Sequence, residues 1–206
     1  MTWSLLAVLA AAVPARANDL EGMFGNSEPP FEHSTGLYAF LPPGGWNCQQ
    51  QRDSSVQCQA SSTGAMLRIE HWTIEGQLDS ELMAFNEERK LQKLPHFRKN
   101  GGGRLLLGDV KASIRSFVFD YQGNAEYPVA VEELYVVSGG KAIRVHFEVM
   151  ARAMPSHARD LKQLYDTFGV AEVDALGQVV TAARPRNAPG QRKKGPAPRG
   201  GPPAYP

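Results

Sequence analysis

The chain has 206 residues, a formal net charge of +1, two cysteines, 20 glycines and 15 prolines. An apolar fraction of 42% is close to the globular average, which argues against disorder throughout, and the length allows one ordinary domain with extensions. No apolar run reaches the roughly 20 residues of a membrane-spanning helix, no repeat period or long heptad run is present, and no clustered Cys/His set marks a structural zinc site.

Residues 1–17 read MTWSLLAVLAAAVPARA. An apolar stretch from Leu5 to Val13 is broken by Pro14 and followed by Ala15-Arg16-Ala17, the small-x-small pattern that precedes signal-peptidase cleavage. No Lys or Arg precedes the apolar stretch, which departs from the usual signal, and the alternative is a retained N-terminal helix. Read as a secretory signal, the segment leaves a mature chain that starts at Asn18, and the lack of a following cysteine excludes a lipoprotein anchor at the cut. Residues 18–35 are polar and loop-like, and lead into the domain without a core of their own.

Strand signals start with residues 37–41 and stop at Pro42-Pro43-Gly44-Gly45. Residues 46–51 and 54–60 form a hairpin around the polar turn Arg52-Asp53-Ser54-Ser55, which sets Cys48 across from Cys58. In an oxidising compartment the two are expected to pair, and closing so short a loop stabilises by roughly 2–3 kcal/mol in the chain-entropy model. Two free buried thiols are the plain alternative. A redox-active pair is the other, although nine intervening residues do not resemble C-x-x-C. Residues 65–74 make the next strand, with Leu67 and Ile69 on one face and Arg68, Glu70 and Trp72 on the other.

Residues 79–94 read as a helix capped by Asp79 or Ser80 and ended by Pro95. Leu78, Leu82 and Phe85 share one stripe, while Met83, Leu91 and Leu94 fall on another side. Glu87-Glu88, next to Arg89-Lys90, read as a solvated face. Asn100-Gly101-Gly102-Gly103 reads as a flexible loop, since the Gly-Lys-Ser/Thr ending of a phosphate-binding loop is absent. Strands follow over 110–121, 129–137 and 142–150, with a turn at 122–125 and a tight Ser138-Gly139-Gly140-Lys141 hairpin. In the last of these Ile143, Val145, Phe147 and Val149 point inward, and Arg144, His146 and Glu148 outward. Residues 155–168 form a second helix with Pro155 in its first turn, an apolar stripe of Ala158, Leu161, Leu164, Tyr165 and Phe168, and Gly169 as a left-handed cap. The fold class is α+β: a mostly antiparallel twisted sheet with helices packed on its faces.

Composition changes near Asp174. Residues 18–174 hold 15 basic against 21 acidic side chains, whereas residues 175–206 hold no acid and six cations, Arg184, Arg186, Arg192, Lys193, Lys194 and Arg199. The division expected is a signal over 1–17, a loop segment over 18–35, a sandwich domain over 36–171, and a disordered basic Pro/Gly-rich tail over 172–206. The tail has only Tyr205 as a stacking group, which argues against nucleic acid. It suits an anionic envelope surface or an acidic partner, or serves only as a solubilising extension.

The element order, with Pro43-Gly44-Gly45-Trp46 after the first strand and Leu164-Tyr165-Asp166-Thr167-Phe168 ending the last helix, resembles the Mog1/PsbP-like α/β/α sandwich superfamily, including exported bacterial proteins of the DcrB type. The resemblance spans residues 36–170. It implies accessory, binding or scaffold roles: small-GTPase binding, photosystem assembly, or chaperoning of secretion effectors. None of these transfers by a residue match, and the cytosolic effector-chaperone role conflicts with a signal peptide.

For chemistry, the outward His146/Glu148 pair supplies two weak candidate metal ligands, short of the three or four a zinc site needs. Glu132 and Glu133 point to opposite faces, and no G-x-S-x-G elbow is present. The expected function is therefore an exported non-catalytic binding or scaffold protein of the cell envelope, without a cofactor. Its expected contact surface is Arg68, Glu70, Trp72, Arg144, His146 and Glu148, together with the basic tail, and its partner is a protein or an anionic surface. The alternatives are a metal-binding or enzymatic site around His146/Glu148, and a chaperone-like binder of secreted or membrane proteins.

Overall fold

The computed structural model describes residues 29–187 except residue 175. Residues 1–17, expected to be a secretory signal, and the tail cations Arg192, Lys193, Lys194 and Arg199 lie outside the described residues.

The period-two pattern of residues 142–150 becomes the central strand of a seven-stranded antiparallel sheet. Its strands are β3 (Trp46–Gln50), β4 (Val56–Ala60), β5 (Met66–Thr73), β6 (Arg98–Leu107), β7 (Val110–Asp120), β8 (Pro128–Ser138) and β9 (Lys141–Met150), in the order β3-β4-β5-β9-β8-β7-β6. Gly139 and Gly140 alone turn β8 into β9, with Ser138 opposite Lys141. Two short strands, β1 (Phe31–Glu32) and β2 (Tyr38–Phe40), join β10 (Gly169–Val170) in a separate sheet. Helix α1 (Ser80–Leu91) lies on one face of the large sheet, and α2 (Ala158–Thr167) with the small sheet covers the other.

The main core lies on the α2 side. Leu67, Ile69, Ile143, Val145 and Phe147 point into it from the large sheet, and Tyr38, Phe40, Leu161, Leu164 and Phe168 meet them from the cover. Phe168 stacks on Tyr38 and Phe40 at ring distances of 5.8 and 6.1 Å. Each such side chain, fully buried, contributes about 1.5–3 kcal/mol of transfer free energy. Cys48 and Cys58 stand opposite in the β3–β4 register and are joined in a disulfide, their Cα atoms 4.0 Å apart.

The structure corrects several sequence expectations. Asn100 to Gly103 belong to edge strand β6 and not to a loop. Asn100 is the extra residue where the register shifts between Lys99 and Gly101, and Gly101, Gly102 and Gly103 pair with Ser116, Arg115 and Ile114. Gly102 is required there, because a Cβ would come within 2.9 Å of the Ile114 carbonyl oxygen. Residues 18–35 are not all lead-in loop, since Phe31–Glu32 is a strand and His33 is buried.

The expected disordered tail starts too early. β11 (Glu172–Val173) pairs with β12 (Val179–Thr181), Ala183 is buried, and the Arg186 N–H donates to the Thr167 carbonyl. This segment is held by main-chain bonds and close backbone approach, which low hydrophobicity does not reveal. Gly169 is accordingly no left-handed cap. It sits in β10 against Arg184, whose carbonyl oxygen would lie 1.9 Å from an added Cβ. Pro155 falls within a 3-10 segment, Ala151–His157, that precedes α2 rather than in its first turn. Ala158, placed in the apolar stripe, is exposed.

Candidate binding face

Helix α1 begins where Asp79 Oδ1 accepts the Leu82 N–H at 2.7 Å, a cap worth about 1 kcal/mol. Its buried side is Ser80, Met83, Ala84 and Glu88, set against Tyr135 and Ala142 and, through Leu91, against Phe117. The Leu82/Phe85 stripe faces solvent instead. Glu87 and Glu88 are not a solvated face. Glu88, only 8% exposed, accepts from Lys99 Nζ at 2.8 Å and pairs with Arg115 at 3.2 Å. Glu87 pairs with Lys90, and with Arg144 at 3.7 Å. Glu81 takes Arg115 and Arg104, and the Arg115 hydrogen bond holds its carboxyl below the usual range despite partial desolvation. The carboxylates of α1 therefore tie the helix to the sheet.

The expected contact residues share the sheet face that carries α1. Register sets Arg68 opposite His146, Glu70 opposite Arg144, and Trp72 opposite Ala142. Arg68 Nε donates to Glu70 Oε1 at 2.9 Å, and Arg144 donates to the other Glu70 oxygen. Trp72 stands near the end of the same strand face, beside α1, so the other five predicted residues form one charged patch and Trp72 lies at its edge. Arg144, Glu70 and His146 are only partly exposed, and Arg144 reaches Glu87 of α1 at the edge of this patch.

Glu133, weighed in the sequence only against a carboxylate dyad with Glu132, and Tyr135, which the sequence did not single out, complete the patch. β8 brings Glu133 opposite His146 and Tyr135 opposite Arg144. His146 donates from Nδ1 to Glu133 Oε1 at 2.7 Å and from Nε2 to Glu148 Oε2 at 3.2 Å, and the Tyr135 hydroxyl donates to the second Glu133 oxygen. Burial opposes charge on the ring, but the bonds to Glu133 and Glu148 outweigh it and raise the His146 pKa to about 9. The same bond to His146 lowers the Glu148 pKa. Burial first, then the Glu133 charge, pushes the Tyr135 hydroxyl far upward. The outward alternation of β8 around Glu133 was the available signal, but its partner lies on another strand.

At neutral pH the imidazolium thus has no lone pair to offer a cation or an incoming proton. Among the described residues no cluster of three or more His, Cys, Asp or Glu is arranged to hold a metal. Glu132 lies on the opposite face, as expected, and accepts from Ser116 and Tyr165. Of the tail cations, Arg186 is committed to structure, donating to the Leu106 carbonyl at 3.1 Å, while Arg184 is exposed.

No family model matches the chain, and no curated protein matches it. Solved structures do. It is similar to LpqN of Mycobacterium tuberculosis, described as involved in cell envelope biogenesis (TM-score 0.51, 15% identity, 68% of this chain and 88% of that one). It is similar to the cyanobacterial PsbP of Synechocystis sp. PCC 6803 (TM-score 0.55, 12% identity, 70% and 92%). It is also similar to the Ran-binding protein Mog1p of Saccharomyces cerevisiae (TM-score 0.51, 9% identity, 70% and 95%). The chain has the Mog1/PsbP-like fold. No helix among the described residues is long and apolar enough to cross a membrane.

Proposed function

We propose that this is an exported, non-catalytic binding or scaffold protein of the cell envelope, which engages a protein partner through the sheet face around Arg68, Glu70, Arg144, His146 and Glu148, aided by its basic C-terminal residues. The observation that carries the reading is the self-neutralised state of that face. Both nitrogens of His146 and both oxygens of Glu133 are engaged by neighbours, which favours a surface read through its charge pattern and shape. Export is supported by the signal-like residues 1–17 and by the disulfide, which oxidising compartments favour. The fold supports the binding role: of its structural neighbours, one is described as involved in cell envelope biogenesis and another as a Ran-binding protein.

The test is in-cell photocrosslinking from positions 68 and 148, with position 111 on the far β6–β7 hairpin as control, in the full chain and in a chain lacking residues 188–206. The proposal expects one partner band from 68 and 148 and none from 111, weakened by salt and by the truncation. No band from either face position, or equal bands from all three, overturns it.

A further inference from the structure

Helix α1 has two apolar sides, and only one is used. By 100° per residue, Phe85, Arg89 and Leu82 fall within one band about 60° wide, on the side opposite Ala84 and Leu91, and Lys93 follows in the turn after the helix. Leu82 is 46% and Phe85 53% exposed, and Trp72, which stands beside the helix on β5, is 38% exposed. Between the helix and Trp72 runs an open groove of about 510 Å³, with Leu78 and Met83 among its lining residues and Arg89, Lys90 and Lys93 along the helix side. Leu82 and Phe85 lie on another side of the helix and do not line this groove, so the apolar surface it offers comes from the exposed Trp72 with Leu78.

The charges decide what fits there. The three carboxylates of α1 are turned to the sheet or already paired, Glu81 and Glu88 with Arg115 and Glu87 with Arg144 and Lys90. Arg89 and Lys93 are exposed, and their side chains have no ion-pair or hydrogen-bond partner among the described residues. The groove lining therefore carries three cations and one acid, and that acid is neutralised. We infer that the α1–Trp72 groove docks an acidic segment of a partner protein, with an apolar side chain set against Trp72 and Leu78 and carboxylates on Arg89 and Lys93. An anionic lipid surface shares the charge but is planar, and leaves a cleft of this volume unfilled. An inserted side chain fills it, and buried aromatic anchors inside a charged rim dominate such interfaces. This rests on the binding role proposed above and gives it a second surface with a defined partner chemistry.

The full chain is to be titrated with short Asp/Glu-rich peptides carrying one central Leu or Phe, with Lys-rich counterparts, and with phosphatidylglycerol vesicles. The acidic anchored peptides are expected to bind and to shift Trp72 emission, read as the difference from Trp72→Phe. Binding should weaken with salt and drop about tenfold or more in Arg89→Glu/Lys93→Glu, equivalent to about 1.4 kcal/mol per decade. These positions are exposed, so the variants are expected to keep the wild-type melting temperature, which is measured alongside. Equal binding of Lys-rich peptides, indifference to the charge reversal, or capture by vesicles without peptide binding overturns the inference. If acidic peptides fail while crosslinks from positions 68 and 148 persist, the groove assignment falls and the binding role stands.

Discussion

His146 Nδ1 lies 2.7 Å from Glu133 Oε1, and Glu133 is 1% exposed. A protonated imidazole beside a carboxyl that solvent does not reach makes the ring's proton part of the fold. In the folded chain its pKa is about 9, against 6.5 when unfolded. The raised value means the stabilisation is complete below pH 6.5 and is lost as pH rises through about 9. Urea unfolding across this range is expected to show a loss on the order of 2–3 kcal/mol in wild type, and a flatter profile in His146→Gln. Equal slopes in the two proteins would remove His146 as the titrating group.

At the acid end the sign reverses. Burial first, then the His33 charge, lowers the His71 pKa below 6.5, and His71 Nδ1 has no partner. Protonation then favours the unfolded chain, so its contribution is present above pH 6.5 and is lost as pH falls below that value. Replacement by Phe, which keeps the ring beside His33, should reduce acid sensitivity between pH 6.5 and 5. A His71→Phe chain as acid-sensitive as wild type would contradict this.

The Cys48–Cys58 bridge closes a short loop, so reduction should lower unfolding free energy by roughly 2–3 kcal/mol without changing the fold. Denaturant curves with and without dithiothreitol measure the difference. A Cys48→Ser/Cys58→Ser chain should match the reduced wild type and show no further effect of reductant.

Glycines sort by what surrounds them. Gly169→Ala drives a methyl into the Arg184 carbonyl and should detach residues 183–187, costing several kcal/mol and opening a new protease site there. Gly103→Ala, with nothing within 4 Å of its added Cβ, should stay within about 1 kcal/mol of wild type. Comparable stability in both would contradict the packing of the C-terminal segment against β10.

Glu88→Ala leaves Arg115, itself 8% exposed, with Glu81 alone, and should destabilise by roughly 3 kcal/mol. Adding Arg115→Met should recover part of the loss, which a double-mutant cycle measures.

What could be read in the sequence was whatever local pattern determines. The β9 alternation, the Gly139-Gly140 turn and the spacing of Cys48 from Cys58 each carry their geometry within a few residues. The misread parts depend on distant partners. Glu88 looks solvated beside Arg89 and Lys90 until Lys99 and Arg115 fold under it. Gly101 to Gly103 have no side chains to show a strand period, although their backbones pair with β7. Residues 179–187 look too polar to order, yet main-chain bonds from Ala183 to Gly36 and from Arg186 to Thr167 hold them. The contact face was legible as outward-pointing positions on β5 and β9, but its arbiter, Glu133, comes from β8, and the side of α1 that meets the sheet follows from helix packing that its mixed stripes left open.

An envelope role requires the chain to leave the cytosol and to fold with Cys48 and Cys58 joined. Cell fractionation, followed by N-terminal sequencing and thiol labelling of the recovered protein, tests this directly. The expected product begins at Asn18, resists thiol reagents until reduced, and collects outside the cytosol. A cytosolic polypeptide that still begins at Met1, with both cysteines free to label, would contradict the export, the bridge and the envelope role together.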